Sequence, residues 1–277
     1  MDENKEYLLI IEAKRSALNY WKDLWRYRQL FLFLSWKEIL IRYKQTVLGI
    51  GWSVIRPILI MIVFSVVFGK FAKMPDEGVP YPILVFAALL PWQYFSTALT
   101  ESSNSLVGNA NMISKIYFPR IIIPASSIIV SLVDFLISLL ILGIIIMYYR
   151  FPITWYVLLI PFFLLLASIA AYGLGIFFAA LNVKYRDFKY VVPFIVQFGL
   201  YASPVGFSSS IIPEKWQLLY SLNPMVGVID GFRWAIIGKN YSVYWPGVGL
   251  SVLFTSILLF FALKYFRATE KTFADII

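Results

Sequence analysis

The side chains able to do chemistry in this chain are few, and two kinds are missing. Among 277 residues there is no His and no Cys. Cys/His metal sites, thiol nucleophiles and disulfides are therefore impossible, and histidine-dependent acid–base catalysis is absent. Many membrane hydrolases and acyl- or phospho-transferases drop out with them. What remains are carboxylates and cations set in apolar surroundings. Glu101 and Asp134 lie inside hydrophobic runs, where an ionisable group is a functional candidate by default. Glu101 is followed by Ser102, Ser103 and Asn104 near a predicted helix end, which favours a wet position. Asp134, in SLVDFLISLL, is deeper. It could hold Arg56, line a polar path, or bond Ser131 and Ser138 on its own helix face. A proton relay needs several such groups in series, which two isolated acids do not supply. Glu214 and Asp230 could serve as the acids of a membrane glycan transferase, but they form no paired-acid motif.

The surroundings of these residues are set by composition. The chain is 60% hydrophobic and 14% charged, with a mean hydropathy of +0.77. Soluble domains sit near roughly 45–50% apolar, so an all-α integral membrane protein is expected. The net charge of +9 would suggest nucleic acid in a soluble chain. Here the positives flank apolar spans and mark a cytoplasmic face, so membrane lipid is the expected partner and nucleic acid is not. The N-terminus, MDENKEYLL, is acidic and polar, unlike a cleaved signal peptide.

Residues 1–50 read as a cytoplasmic arm. From Trp21 a stripe at mainly three- and four-residue spacing runs through Leu24, Trp25, Leu32, Trp36, Ile39, Leu40 and Tyr43. It predicts one or two amphipathic helices in the headgroup region, with Arg42 and Lys44 among the basic residues on anionic lipid. Residues 51–266 then hold six apolar spans, at approximately 51–70, 83–104, 121–148, 155–181, 190–207 and 246–266. Pro57, Pro161 and Pro193 fall near predicted span starts, where proline is tolerated. Residues 267–277 form a cytoplasmic tail. With both termini inside, cytoplasmic segments hold 17 Lys and Arg and external segments 5, in line with the positive-inside rule. The external segment 208–245, between spans five and six, is too apolar for a solvated loop. Pro213, Asn223, Pro224, Gly227, Gly231 and Gly238 interrupt it too often for a crossing. It predicts short re-entrant helices, either at an export mouth or as a lid sealing the bundle.

Two inner loops stand out. In NANMISKIYFPRIIIP, residues 109–124, Asn109 and Asn111 can cap a short helix. Met112, Ile113, Ile116 and Phe118 offer an apolar knob, and Pro119 and Pro124 stiffen the exit. Such a loop could receive force from a soluble motor or be a simple capped turn. The loop NVKYRDFKY, 182–190, is basic. Aromatics make up 18% of the chain. Trp92, Tyr94, Phe95, Tyr172, Phe198 and Tyr201 could line a path on which sugar rings stack, or could face lipid.

Four stretches together resemble one family, the permease subunits of ABC-2 type exporters of polysaccharide such as O-antigen, capsule and teichoic acid. They are RYKQTVLGIGW with IRP at 42–57, NANMISKIYFPRIIIP at 109–124, LNVKYRDFKYVVPF at 181–194 leading to SPVGF at 203–207, and LNPMVGVIDGFRWAI at 222–236. The resemblance implies a homodimeric pore in the bacterial cytoplasmic membrane, paired with two copies of a cytosolic ABC ATPase and moving a lipid-linked polysaccharide. It makes Asn111, Met112, Ile113, Lys115, Tyr117, Phe118, Pro119 and Arg120 the coupling residues, with the region around 36–48 supporting the same contact. No P-loop GxxxxGK[ST] occurs in the chain, so ATP and Mg2+ are expected on the partner and no catalysis on this subunit. A smaller lipid or drug as cargo is the alternative within transport.

Overall fold

The computed structural model describes residues 17–44, 50–76 and 78–276. The first sixteen residues and positions 45–49, with the expected loosening at Gly49, lie outside the described residues. Among the described residues every regular element is helical. The chain enters through α1 (Ala17–Arg26) and α2 (Arg28–Lys44). Next come α3 (Ile50–Phe64), α4 (Tyr81–Gly108), the short α5 (Ala110–Ile113) and α6 (Ile122–Tyr148). Then follow α7 (Ile160–Lys184) and α8 (Phe188–Ala202). The last are α9 (Glu214–Tyr220), α10 (Pro224–Ile237), α11 (Trp245–Thr269) and α12 (Phe273–Ile276).

Five helical segments are long and apolar enough to cross a membrane: Gly51–Phe71, Tyr81–Gly108, Ile122–Tyr148, Trp155–Lys184 and Trp245–Thr272. They match five of the predicted spans to within a few residues at most ends. The remaining predicted span, 190–207, is α8. Its 15 residues rise only about 22 Å, short of a hydrocarbon core of about 30 Å. Pro57 and Pro193 sit inside α3 and α8 rather than near their starts, whereas Pro161 is in the first turn of α7. The first span ends in a π-helix, Ser65–Phe71. Helix α6 ends on Arg150 at φ 50°, and Phe151 N–H bonds back to Ile146 O at 3.0 Å. This left-handed cap uses Arg where Gly is commoner.

Helix α4 is the hub. It packs on α6, α7, α8, α10 and α3 and buries a face from Ile83 to Leu106. Lipid gives helices no hydrophobic reason to associate, so close approach through small residues carries the packing. On α7, Ala167, Ala170, Ala171, Gly173 and Gly175 are buried. A Cβ at Gly175 would stand 2.4 Å from Ser102 Oγ of α4, so glycine is required at this crossing.

Segment 208–245 carries the short helices α9 and α10, and protein covers the second. Helix α10 is a 14-residue helix enclosed by α4, α7 and α11. All its residues except Pro224 and Trp234 are buried, and a Cβ at Gly231 would overlap the Phe163 ring. Arg233, counted in sequence as a loop cation, has no exposed surface. Its guanidinium donates to Leu84 O at 3.1 Å, Phe207 O at 2.6 Å and Val205 O at 2.9 Å. Tyr81 donates to the intervening Gly206 O at 2.6 Å. Three successive carbonyls of the turn after α8 thus find side-chain donors, which non-helical backbone at membrane depth requires.

Replacing Arg233 by Leu leaves three buried carbonyls without this donor, at about 1–3 kcal/mol each. Thermal unfolding of the detergent-solubilised chain should show a loss of at least about 3 kcal/mol, with Arg233→Lys losing less because it keeps a charge and some donors.

Candidate functional site

Two places gather the residues that sequence singled out. One is the loop between α4 and α6, and the other is a polar cavity between α2, α3, α4 and α6.

The loop stands on a hydrophobic core of its own. Leu34 of α2, Leu106, Ile113, Phe118, Ile121, Ile122, Ile123, Ala180, Phe266 and Phe273 form a buried cluster apart from the main one. This corrects the expected docking knob. Ile113 and Phe118 are 2% and 3% exposed, and Pro119 is buried too, so they anchor the loop from within. Ile116 at 59% and Tyr117 at 49% form the apolar tip. Asn111 and Lys115 are exposed beside it, and Met112 and Arg120 are half-buried. Asn109 does not cap α5 with its side chain; its amide donates to Ser105 O at 2.9 Å and closes α4 instead.

Arg120 ties the loop to the far end of the chain. Its backbone N–H donates to Glu270 Oε1 at 2.7 Å, and its guanidinium reaches the Glu270 carbonyl. The other Glu270 oxygen accepts from Tyr20 of α1 at 3.1 Å, with the Arg267 guanidinium 4.9 Å from the Tyr20 ring centre. Burial and the Glu270 carboxylate push the Tyr20 phenol up, so it donates at any working pH. Tyr27 completes the mounting with a 3.4 Å bond to Tyr117 O.

Helix α2 does not simply lie across the end of the bundle. Its middle packs with Ile121–Ile123 through Leu34, and its last turn meets Asp134, twelve residues or about 18 Å further along α6. Arg42 Nη2 lies 2.7 Å from Asp134 Oδ2. Tyr43 and Ser53 each donate to Asp134 Oδ1 at 2.6 Å. The partner of Asp134 is therefore Arg42 rather than Arg56, Ser131 or Ser138. Burial, then the bond to Asp134, pushes Tyr43 up to about 12, so it stays a donor. Glu101, 3.5 Å from Arg42, is half exposed, as its polar neighbours implied. Trp36 and Lys44 face outward, Trp36 at 62% exposure.

Beside this network is a cavity of about 260 Å³ bordered by Arg42, Arg56, Gln93, Ser131, Asp134 and Ser138. Arg56 is exposed and has no ion-pair partner among the described residues. Gln93 Nε2 and Ser131 Oγ are buried without hydrogen-bond partners. Arg42 is shared by Asp134 and Glu101, so the charge of the cavity left to an incoming group is that of Arg56. The cavity can receive an anionic group, and no arrangement in it resembles a nucleophile with its base.

The aromatic candidates separate. Trp92, Tyr94 and Phe95 belong to the main core. Trp92 packs on Gly199 and Tyr94 bonds Ser168 at 2.6 Å. Tyr172 bonds Ile121 O at 3.4 Å beside the core under the loop. Phe198 and Tyr201 are 65% and 64% exposed, on a face of α8 that they share with Tyr190 and Phe194. Phe194 and Phe198 stack at 6.2 Å and 15°. The sequence candidates include Phe198 and Tyr201 but not Tyr190 and Phe194, although the four fall at helical spacing.

If Arg42 and Asp134 act as one unit, their losses do not add. In a double-mutant cycle with Arg42→Leu and Asp134→Asn, we expect a coupling of about 1–3 kcal/mol in thermal stability. Purely additive losses would dismiss the pairing.

Comparison with known proteins bears on both places. The sequence model of the family described as ABC-2 type transporter matches residues 29–237, from the start of α2 to the end of α10. An O-antigen export system permease protein of Myxococcus xanthus is 28% identical over 260 residues, covering 92% of this chain and 97% of that protein. One from Klebsiella pneumoniae is 27% identical over 249 residues, 90% and 95% of the two chains. The polysialic acid transport protein of Escherichia coli is 25% identical over 244 residues, 87% and 92% of the two. With its loop, buried α10 and apolar bundle inside the matched region, the chain belongs to the ABC-2 type transporter family.

Proposed function

We propose that this chain is the membrane permease of an ATP-driven exporter that moves a lipid-linked polysaccharide, most simply O-antigen, across the bacterial cytoplasmic membrane. The observation that carries the reading is the loop tip. Ile116 and Tyr117 are exposed at the end of a segment held from below by Ile113, Phe118 and the Glu270 bonds. Exposed apolar side chains on a rigid mount suit insertion into a soluble partner, and a mobile loop would dissipate the push. The names of the relatives supply the cargo class. ATP and Mg2+ belong to the partner ATPase, present in two copies, and this subunit is a transport permease without chemistry of its own.

Two copies of the chain would enclose the path, with α8 as a short sixth crossing and both termini cytoplasmic. Of the aromatic candidates, Phe198 and Tyr201, with Tyr190 and Phe194, are the ones that a path between protomers can use. Trp92, Tyr94 and Phe95 hold the protomer together. The Arg56 side of the cavity suits the anionic linkage of a lipid carrier, and lies where α2 would pass closure of the ATPase to the spans as a rigid-body shift.

Co-expression with the cognate ATPase tests this. Ile116→Asp with Tyr117→Asp should cut co-purification of the ATPase at least tenfold while leaving membrane yield unchanged. Phe118→Asp should lower the yield itself, because it charges a core position. Full ATPase recovery with the double variant would sink the docking assignment.

A further inference from the structure

A second polar cavity lies at the opposite end of the molecule, in the external cap. It encloses about 170 Å³ between α9, α10 and the start of α11. This is below the roughly 300 Å³ at which drug-sized pockets begin. Ser210 and Ser242 stand exposed at its rim. Gln217, Tyr220 and Ser221 of α9 form one wall and Asp230 of α10 the other.

The bonding state of these groups says what would fit. Gln217 gives its amide N–H to Ile212 O at 3.2 Å, which leaves its carbonyl oxygen able to accept. The Tyr220 hydroxyl is buried without a hydrogen-bond partner among the described residues, a state that costs about 1–3 kcal/mol. Asp230 is fixed by Ser209 at 2.6 Å and Tyr241 at 2.8 Å. No Lys or Arg lines the cavity, and one carboxylate in the wall disfavours phosphate or any other anion. The described residues contain no cluster of three or more acids that would hold a metal. Val226, Val243 and Tyr244 add apolar surface. Hydroxyls, an amide oxygen and a phenol around a small, partly apolar space match a neutral ring carrying several hydroxyl groups.

We propose that this cavity binds one neutral pyranose unit, a sugar subsite in the external cap. It rests on the export reading only for the reason a sugar would reach it. Binding itself requires neither ATPase nor transport. Because α9 and α10 form the walls, an occupant would cross-link the exposed α9 to the buried α10.

The full chain in lipid nanodiscs, without the ATPase, can be tested by saturation-transfer NMR. The probes are the methyl glycosides of α-mannose, β-glucose, β-galactose and N-acetyl-β-glucosamine. At least one should show saturable transfer. Tyr220→Phe and Gln217→Leu should each weaken it about 3- to 10-fold, the range for one neutral hydrogen bond. Leu140→Ala, on the exposed side of α6 and away from both the cavity and α8, should leave it unchanged. If Gln217→Leu lowers the melting temperature, Ser242→Val at the exposed rim takes its place. Absence of transfer from all four glycosides, or transfer unchanged in both wall variants, overturns the subsite and leaves the export reading standing. Transfer lost only in Phe198→Ala would move sugar binding to α8 and equally overturn it.

Discussion

The arrangement of the half of the bundle around α10 depends on the contact between Arg233 and three backbone carbonyls. A buried guanidinium is costly unless every direction of its planar fork meets an acceptor. Here the acceptors come from two separate places, the start of α4 and the turn that follows α8. Satisfying the arginine therefore fixes α10, α4 and the α8 turn to one another. The same bonds allow the chain to leave α8 after 15 residues without exposing bare carbonyls to lipid. With that turn fixed, Asn223 bonds Ser203 at 2.9 Å and caps the start of α10 through Met225 N–H. The cap is thus a consequence of the buried charge, and charge burial and broken backbone offset one another.

The half of the bundle that carries the α4–α6 loop is organised differently. Its core is apolar and joins elements far apart in sequence, from Leu34 to Phe273. The loop at its centre has a divided composition. Ile113, Phe118 and Pro119 are spent inward, and Ile116 and Tyr117 are left outward. Between the halves, Asp134 holds the end of α2 against α6. Helix α2 is accordingly amphipathic in a more complicated way than its stripe suggests. One side packs on protein, another shows Leu32, Phe33, Trp36 and Leu40 to the surroundings, and the last turn carries the charge.

Much of this was legible from residues alone. Spans are continuous apolar stretches of about 20 residues, a signal that needs no knowledge of neighbours, and five of them emerge at nearly the same bounds. The inner loops and the broken external segment were located by Gly, Pro and charge. Partners were not legible. For Asp134 the sequence leaves Arg56, a polar path and Ser131 with Ser138 open, whereas the ion pair comes from Arg42, on a helix expected at the surface. Phe118 reads as a knob because apolar residues in loops look exposed until the core beneath them is known. Arg233 was visible as a cation in the apolar run GFRWAII. Its role depends on carbonyls roughly 30 and 150 residues away, which no local pattern encodes. The aromatic residues show the same limit, since Trp92 and Phe198 are alike in composition and opposite in burial.

Glu270 has a mechanical meaning. It joins the segment before α6 to the end of α11 and to α1 through bonds made by a single residue. A load applied at the tip of the loop travels along α4 and α6, the helices flanking it in sequence, and into the apolar core beneath it. With Glu270 as a cross-tie, the last span and the N-terminal helix bear it in parallel. The loop end of the bundle is then tied across four elements, and the segment left apart from these ties is the first span, little buried and running into a π-helix.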